Sequence, residues 1–397
     1  MTTTAEQMRA WRGPTVLSFG FRPFFLMAGI WAAFAMTIWI FMLAGRLELP
    51  THFDPVSWHA HELLFGYLAA VIAGFLLTAV PNWTGRLPIV GWPLGLLAVL
   101  WLAGRIAVAS STWLPVLVVA MIDCAFLAAL MIAIGREILA GGNWRNLPVL
   151  ALLGLLLAGN ALFHYAGVSQ SAASQMGMRL GVAVAVMLIS LIGGRIVPSF
   201  TRNWLVKHGH SARPDPFGVL DRFTMLIFGL ALLVWVVAPQ SLAAGSMLLL
   251  AGMMQGWRLL RWAGLQTLEE PLVWVLHAGY AFVPLGAVIL GLAILWEDIL
   301  LVQAAQHLWM AGAIGLMTLA VMSRATLGHT GRELTAGPGT TTVYLSLIGS
   351  VFLRLAAGAS PQLTTELYQF SGLLWVTAYL GFAVIYSPML MRPRAGS

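Results

Sequence analysis

Charge is what this sequence has least of. Only 9% of its 397 residues are Asp, Glu, Lys or Arg, against about a quarter in a soluble globular chain, so water is not its main solvent. Cysteine is nearly absent as well. Cys124 stands alone, which excludes an intrachain disulfide, a thiolate metal cluster and a covalently attached c-type haem, whose CxxCH motif is missing. There is no P-loop, no dinucleotide fingerprint and no nucleophile elbow. The N-terminus, "MTTTAEQMRAWRGP", lacks the basic start, short apolar core and small-residue cleavage site of a signal peptide, so the first apolar run is expected to stay as a span.

What is abundant is hydrocarbon. The chain is 60% hydrophobic with a mean hydropathy of +0.87, and apolar runs of about 20 residues, enough to cross a bilayer as helices, recur from end to end. Twelve are read, at about 22–44, 57–80, 89–110, 112–135, 147–168, 175–199, 219–239, 241–262, 271–296, 299–324, 341–359 and 364–390. Their Gly- and Leu-rich texture lacks the regular alternation of barrel strands. The expectation is an all-α, polytopic helical bundle forming one transmembrane domain over residues 1–397, with the lipid bilayer as its principal surroundings.

A net charge of +7 would suit an acidic partner, but in a membrane chain the placement of Lys and Arg says more than their total, and no nucleic-acid partner is expected. With twelve spans, Arg46, Arg105, Arg179 and Arg354 fall on one side and the other 17 of the 21 basic residues on the opposite side. That bias predicts both termini in the cytoplasm. Two longer polar loops, 201–218 and 325–342, join spans six to seven and ten to eleven. A weak echo runs through the inner ends of spans two, six and ten, "PNWTGR", "PSFTRNW" and "SRATLGHTGR". Recurrence every four helices would make three four-helix units; chance likeness between Pro-, Trp- and Arg-rich helix ends accounts for it equally well.

Nine histidines stand out in so apolar a chain. His208 and His210 lie in the basic loop and His52 in the first external loop, where solvation explains them. His59, His61, His164, His277 and His307 lie in or at the ends of spans, and His329 follows span ten. Ionisable residues at such depth are functional hypotheses by default. In "WHAHELLFG" (58–66), His59 and His61 are about 200° apart on an ideal helix, nearly back to back, so one metal could take both only if the first turn were unwound. Glu62, Leu63, Gly66, Ala70, Ala73 and Gly74 follow on the His59 side, small below the carboxylate apart from Leu63, and Phe65, Leu68, Ile72 and Phe75 on the other. The small-residue side admits a close helix or a flat cofactor, and a helix-packing seam is the plainer alternative.

Depth brings several imidazoles to the outer half of one bundle. His307 would lie roughly 12 Å inside the boundary, and His164 near the outer end of span five; imidazole suits iron and copper, and bundles build metal sites from facing helices. His277, with Tyr280 one turn on and Pro284 loosening the helix, enters from the cytoplasmic side, so two sites at different depths compete with one. Asp123, in "AMIDCAF" of span four, serves either as a proton or ion site or as the partner of an arginine. Arg195, in "GGRIVPSF", could hold a haem propionate or snorkel to the interface. Met176 and Met178 are soft sulfur atoms that more often pack than ligate.

"FRPFFLMAGIWA" (21–32), "WHAHELLFGYLAAVIAGFLLTAVPNWTGR" (58–86), "GGRIVPSFT" (193–201), "LHAGYAFVPLG" (276–286) and "QHLWMAGAIGLMTLAVMSRATLGHTGR" (306–332) together resemble the NnrS family. The resemblance implies a bacterial inner-membrane protein that binds noncovalent b-type haem and copper and serves nitric oxide metabolism or nitrosative-stress tolerance. It also brings to mind the haem–copper oxidases and nitric oxide reductases, whose cores have twelve helices and a His-x-His pair serving different haems. This chain lacks their adjacent His-His pair and His-x-x-x-Tyr motif, so their copper layout does not transfer. The expected ligands are His59, His61, His277, His307 and His329, undivided between haem and copper, with Arg195 at a haem and Glu62 or Asp123 delivering protons. Nitric oxide would be bound and, if reduced, would need an oxidoreductase's external donor, a quinol or small cytochrome. A twelve-helix secondary transporter using Asp123 or Glu62, or a non-catalytic haem or copper sensor, is the competing expectation.

Overall fold

Helix boundaries follow local chemistry closely. α2 (Pro55–Thr84) begins where Asp54 accepts hydrogen bonds from the Val56 and Ser57 amides and proline fills the first helical position. It ends at Gly85, whose φ of 68° only glycine adopts without strain. Glu270 and Pro271 start α9 (Pro271–Leu295) in the same manner. Asp298 caps α10 (Ile299–His329) through the Leu301 amide.

The structure is a computed structural model that describes residues 11–167 and 172–394; the first ten residues, part of the stretch read for a signal peptide, lie outside them. The other long helices are α1 (Phe21–Leu43), α3 (Trp92–Ala109), α4 (Val116–Ala140), α5 (Leu147–Gly167), α6 (consecutive segments Ala172–Leu188, Ile189–Gly193 and Gly194–Lys207), α7 (Val219–Val237), α8 (Leu242–Leu260), α11 (Pro338–Ala359) and α12 (Thr364–Met391). They coincide with the twelve expected runs, and no strand occurs among the described residues. Eleven are long and apolar enough to cross a membrane. The exception is α8, whose 19 residues suffice in length but include Gln255 and Arg258. α9 runs on through Pro284 as one helix.

Three helices are irregular in the same way. α2 widens into a π-helix over Glu62–Tyr67, α6 over Ile189–Gly193 and α10 over Leu308–Leu316. These are the three helices whose inner ends share the sequence echo.

Contacts divide the chain into two compact units. The first comprises α1 to α5, α6 as far as Gly181, Ala325–Glu333 and the chain from Tyr379 onward. Within it α1 packs on α2, α2 on α4, α3 on α4, and α4 on α5. Small residues set the spacing: a Cβ on Gly74 would lie 2.7 Å from the Phe25 ring of α1, and one on Gly177 would lie 2.7 Å from the Gly159 carbonyl of α5. The second unit holds Val182–Arg324 and Leu334–Ala378, with α8 packed on α7 and α9, and α10 on α9 and α11.

Candidate metal centre

In the first unit, four helices deliver their polar side chains to one buried point. α2 supplies His61 and Glu62, α3 Arg105, α4 Asp123, and α5 Asn160 and His164; none is more than 3% exposed. The Arg105 guanidinium lies between the two carboxylates. Its Nη1 donates to Glu62 Oε2 at 2.9 Å and its Nη2 to Asp123 Oδ1. The Trp31 indole of α1 also donates to Glu62 Oε2, at 2.9 Å. Asp123 Oδ2 faces the other way, 3.2 Å from His61 Nε2, 2.9 Å from His164 Nε2 and 2.7 Å from the Asn160 amide nitrogen. His61 Nδ1 meets Glu62 Oε1 at 3.1 Å, and the Phe53 ring stacks on the imidazole.

Two glycines leave room for this. A Cβ on Gly66 would sit 2.3 Å from Arg105 Nη1, and one on Gly104 would sit 2.8 Å from Asp123 Oδ1. The cluster could not close with larger residues there.

His61, Asp123 and His164 each offer one ligand atom, and the three atoms lie within 4.8 Å of one another. Bonds of about 2.0–2.2 Å from a tetrahedral metal to nitrogen or oxygen place neighbouring ligand atoms roughly 3.3 Å apart. The 2.9 and 3.2 Å separations from the shared carboxylate oxygen are close to that, so the donor set fits a metal ion. Asn160 and Glu62 then form its hydrogen-bonded surround.

The residue-by-residue outcome is uneven. His59 and His61 do point apart, as 100° per residue requires: the His59 ring stacks on Trp39 of α1, centroids 4.0 Å apart, while His61 faces α4 and α5. Glu62 stays on the His59 side beside Gly66, its Oε2 taking the Trp31 indole of α1, while its Oε1 reaches across to His61 Nδ1. The Gly66-to-Gly74 stripe receives side chains of α1 and α3 and is a packing seam. His277 belongs to the second unit, its Nε2 2.7 Å from Thr201 Oγ1. His307, also there, uses Nδ1 to bond the Gln303 carbonyl at 2.8 Å. His329 packs against Phe19 and Phe21. Since α1 runs from Phe21 beside His329 to Trp39 beside His59, those histidines are about 27 Å apart along the first unit and hold no common ion. Arg195 is exposed on α6, and Met176 and Met178 are half-buried.

The family profile described as "NnrS protein" matches residues 15–394, nearly the whole described chain. The chain belongs to the NnrS family. No curated protein matches it. Membership makes it a nitric-oxide-related membrane protein, and the buried His-Asp-His group is the place where this NnrS member could hold a metal. Arg105 and Asn160 were not among the residues expected in such a site. Charge counting places Arg105 with the outer-side charges, yet it lies in α3, buried; an arginine inside the apolar run "WLAGRIAVA" is the available signal. Asn160 carried none.

Proposed function

We propose that this NnrS-family chain is a haem- and copper-binding protein of the bacterial inner membrane that binds nitric oxide as its ligand. The convergence of His61, His164 and Asp123 in a member of this family carries the reading. Two imidazoles and one carboxylate accept copper as they accept zinc or non-haem iron; the family resemblance selects copper, and these three would hold it. For haem, His307 is the best fitted of the expected ligands. Its Nδ1 is engaged by a main-chain carbonyl, which leaves Nε2 as the lone-pair nitrogen with which it would hold the iron. When bound, haem would supply an iron that takes nitric oxide, and copper a one-electron redox centre.

The protein's own groups then have defined tasks. Arg105 holds Asp123 Oδ1, so that Oδ2 faces the imidazoles. Glu62 touches His61 without belonging to the ligand set, and it is the group placed to move a proton. Asp123, expected to share that task, is a ligand in this reading. Reduction of two nitric oxide molecules to nitrous oxide and water consumes two electrons and two protons, the electrons coming from a quinol or small cytochrome.

An absorption spectrum with metal analysis of the purified protein tests this. Haem and copper are expected, with copper lost in His61→Ala and His164→Ala and the haem spectrum altered in His307→Ala. A colourless preparation from haem-replete cells, free of iron and copper, would overturn the reading and favour a transporter. Nitrous oxide formed from nitric oxide and a reductant would establish turnover.

A further inference from the structure

Away from the metal centre, the first unit carries a cavity of about 930 Å³ beside the loop between α2 and α3. Its floor is apolar: Leu97 from α3, and Ala129, Ile132 and Ala133 from α4. Its charged rim is Arg86, Arg136 and Glu137. Glu137 is nearly buried and takes Arg86 through Nε, at 2.5 Å, and Arg136 through Nε and Nη2, at 2.9 and 2.8 Å. One carboxylate thus serves two guanidiniums, and the rim keeps one positive charge. Among the described residues the two terminal amino groups of Arg86 make no hydrogen bond. Arg86 is 44% and Arg136 67% exposed, so unspent donors face outward over the apolar floor.

We infer that this cavity binds an anionic phospholipid, its phosphate on Arg86 and Arg136 and an acyl chain along Leu97, Ala129 and Ile132. Charge complementarity decides the occupant. A phosphodiester carries the one negative charge that the rim lacks, and its oxygens match the guanidinium fork. Basic pockets between helices at the charged end of a span are where such headgroups bind. A quinol would instead want a free group to exchange its protons; the lining contains no His, Tyr, Ser or Thr, and its one carboxylate, Glu137, is held by both arginines. Ile132 is 69% exposed, so the floor is continuous with the lipid-facing side of α4, along which an acyl chain can enter. The inference is independent of the haem and copper reading.

Native mass spectrometry of the full chain, delipidated in detergent and titrated with phosphatidylglycerol or phosphatidylcholine, tests it. Wild type should retain phosphatidylglycerol selectively. Arg86→Gln and Arg136→Gln should each weaken that retention about fivefold, and the pair about thirtyfold. Ala133→Phe, which fills the floor and leaves both arginines, should weaken it too. Thermal unfolding of each variant identifies any that fails to fold, and the remaining variants decide. Equal retention of the two lipids by wild type, undiminished phosphatidylglycerol binding in the folded double variant, or a co-purified quinone displaced by neither lipid would overturn the proposal.

Discussion

Arg105→Met is the most informative single change. The guanidinium contacts two carboxylates that are fully shielded from water. Opposite unit charges about 4 Å apart attract by about 4 kcal/mol at an effective dielectric of 20, so the two contacts together supply roughly twice that before desolvation. Bringing three charged groups out of water cancels most of this gain, and the intact network is therefore of modest net value. Removing only the cation is different: both attractions vanish while the burial cost of Asp123 and Glu62 remains. The expected loss is about 3–5 kcal/mol, near the upper end because two partners are orphaned. Methionine fills much of the space, so little of the loss comes from a cavity. Asp123→Asn on the Arg105→Met background should recover part of it, because a neutral amide can stay buried beside His61 and His164. The assay is unfolding in detergent micelles, read as midpoint and as unfolding rate because large membrane chains often unfold irreversibly. A midpoint within a degree of wild type for Arg105→Met, or a double variant no more stable than the single, would refute the clamp.

Gly66→Ala should loosen the same clamp from behind, because its Cβ would intrude on Arg105, Glu62 and Trp31; about 1–3 kcal/mol is expected in thermal unfolding. Gly95→Ala, whose Cβ finds its nearest neighbour at 3.5 Å, is the control and should be near neutral. His59→Ala should leave the copper content unchanged, while His61→Ala abolishes it; equal losses would mean that the two imidazoles do not serve separate surroundings. Asp54, outside the spans, is pushed up by burial, but hydrogen bonds from the Ser57 hydroxyl and from the Ser57 and Val56 amides more than offset this and hold it below the usual carboxylate range. A carboxylate depressed in the fold stabilises above its unfolded pKa of about 3.9 and loses that contribution as pH falls through its lower folded value. Asp54→Ala should therefore cost about 1 kcal/mol at neutral pH, and the gap from wild type should shrink in unfolding scans below about pH 4.

Twelve apolar runs became twelve helices because, in a bilayer, the backbone must satisfy itself within each span, which leaves length and hydropathy as sufficient signals. The opposed directions of His59 and His61 were legible for a similar reason, since the α-helix holds up to His61. Beyond that residue the signal failed. Nothing in "ELLFGY" announces a π turn, and the reach of Glu62 Oε1 to the neighbouring His61 could not be read from spacing. The partners of Asp123 were hidden differently. Arg105, Asn160 and His164 come from two other helices, and which faces meet is decided by small residues at their crossings, not by any local pattern. Charge counting worked against Arg105: a residue near a span's end is assigned to a loop unless its burial is known.

The three π segments have a common physical consequence. Widening a helix removes some carbonyls from the regular i→i−4 ladder, and a carbonyl buried without a partner is costly. Each segment answers this with a side-chain donor. The Gly66 carbonyl takes the Trp101 indole at 2.9 Å and Ser190 takes Arg258 at 3.2 Å, while in the third segment the Thr318 hydroxyl bonds back to the Ile314 carbonyl at 2.5 Å and lies 3.0 Å from that of Gly315, as Thr and Ser do in the regular helices. The first and third segments also begin directly after His61 and His307. An imidazole therefore stands at the α-to-π junction of both α2 and α10, and in α2 it is His61, a member of the His-Asp-His group that could hold a metal.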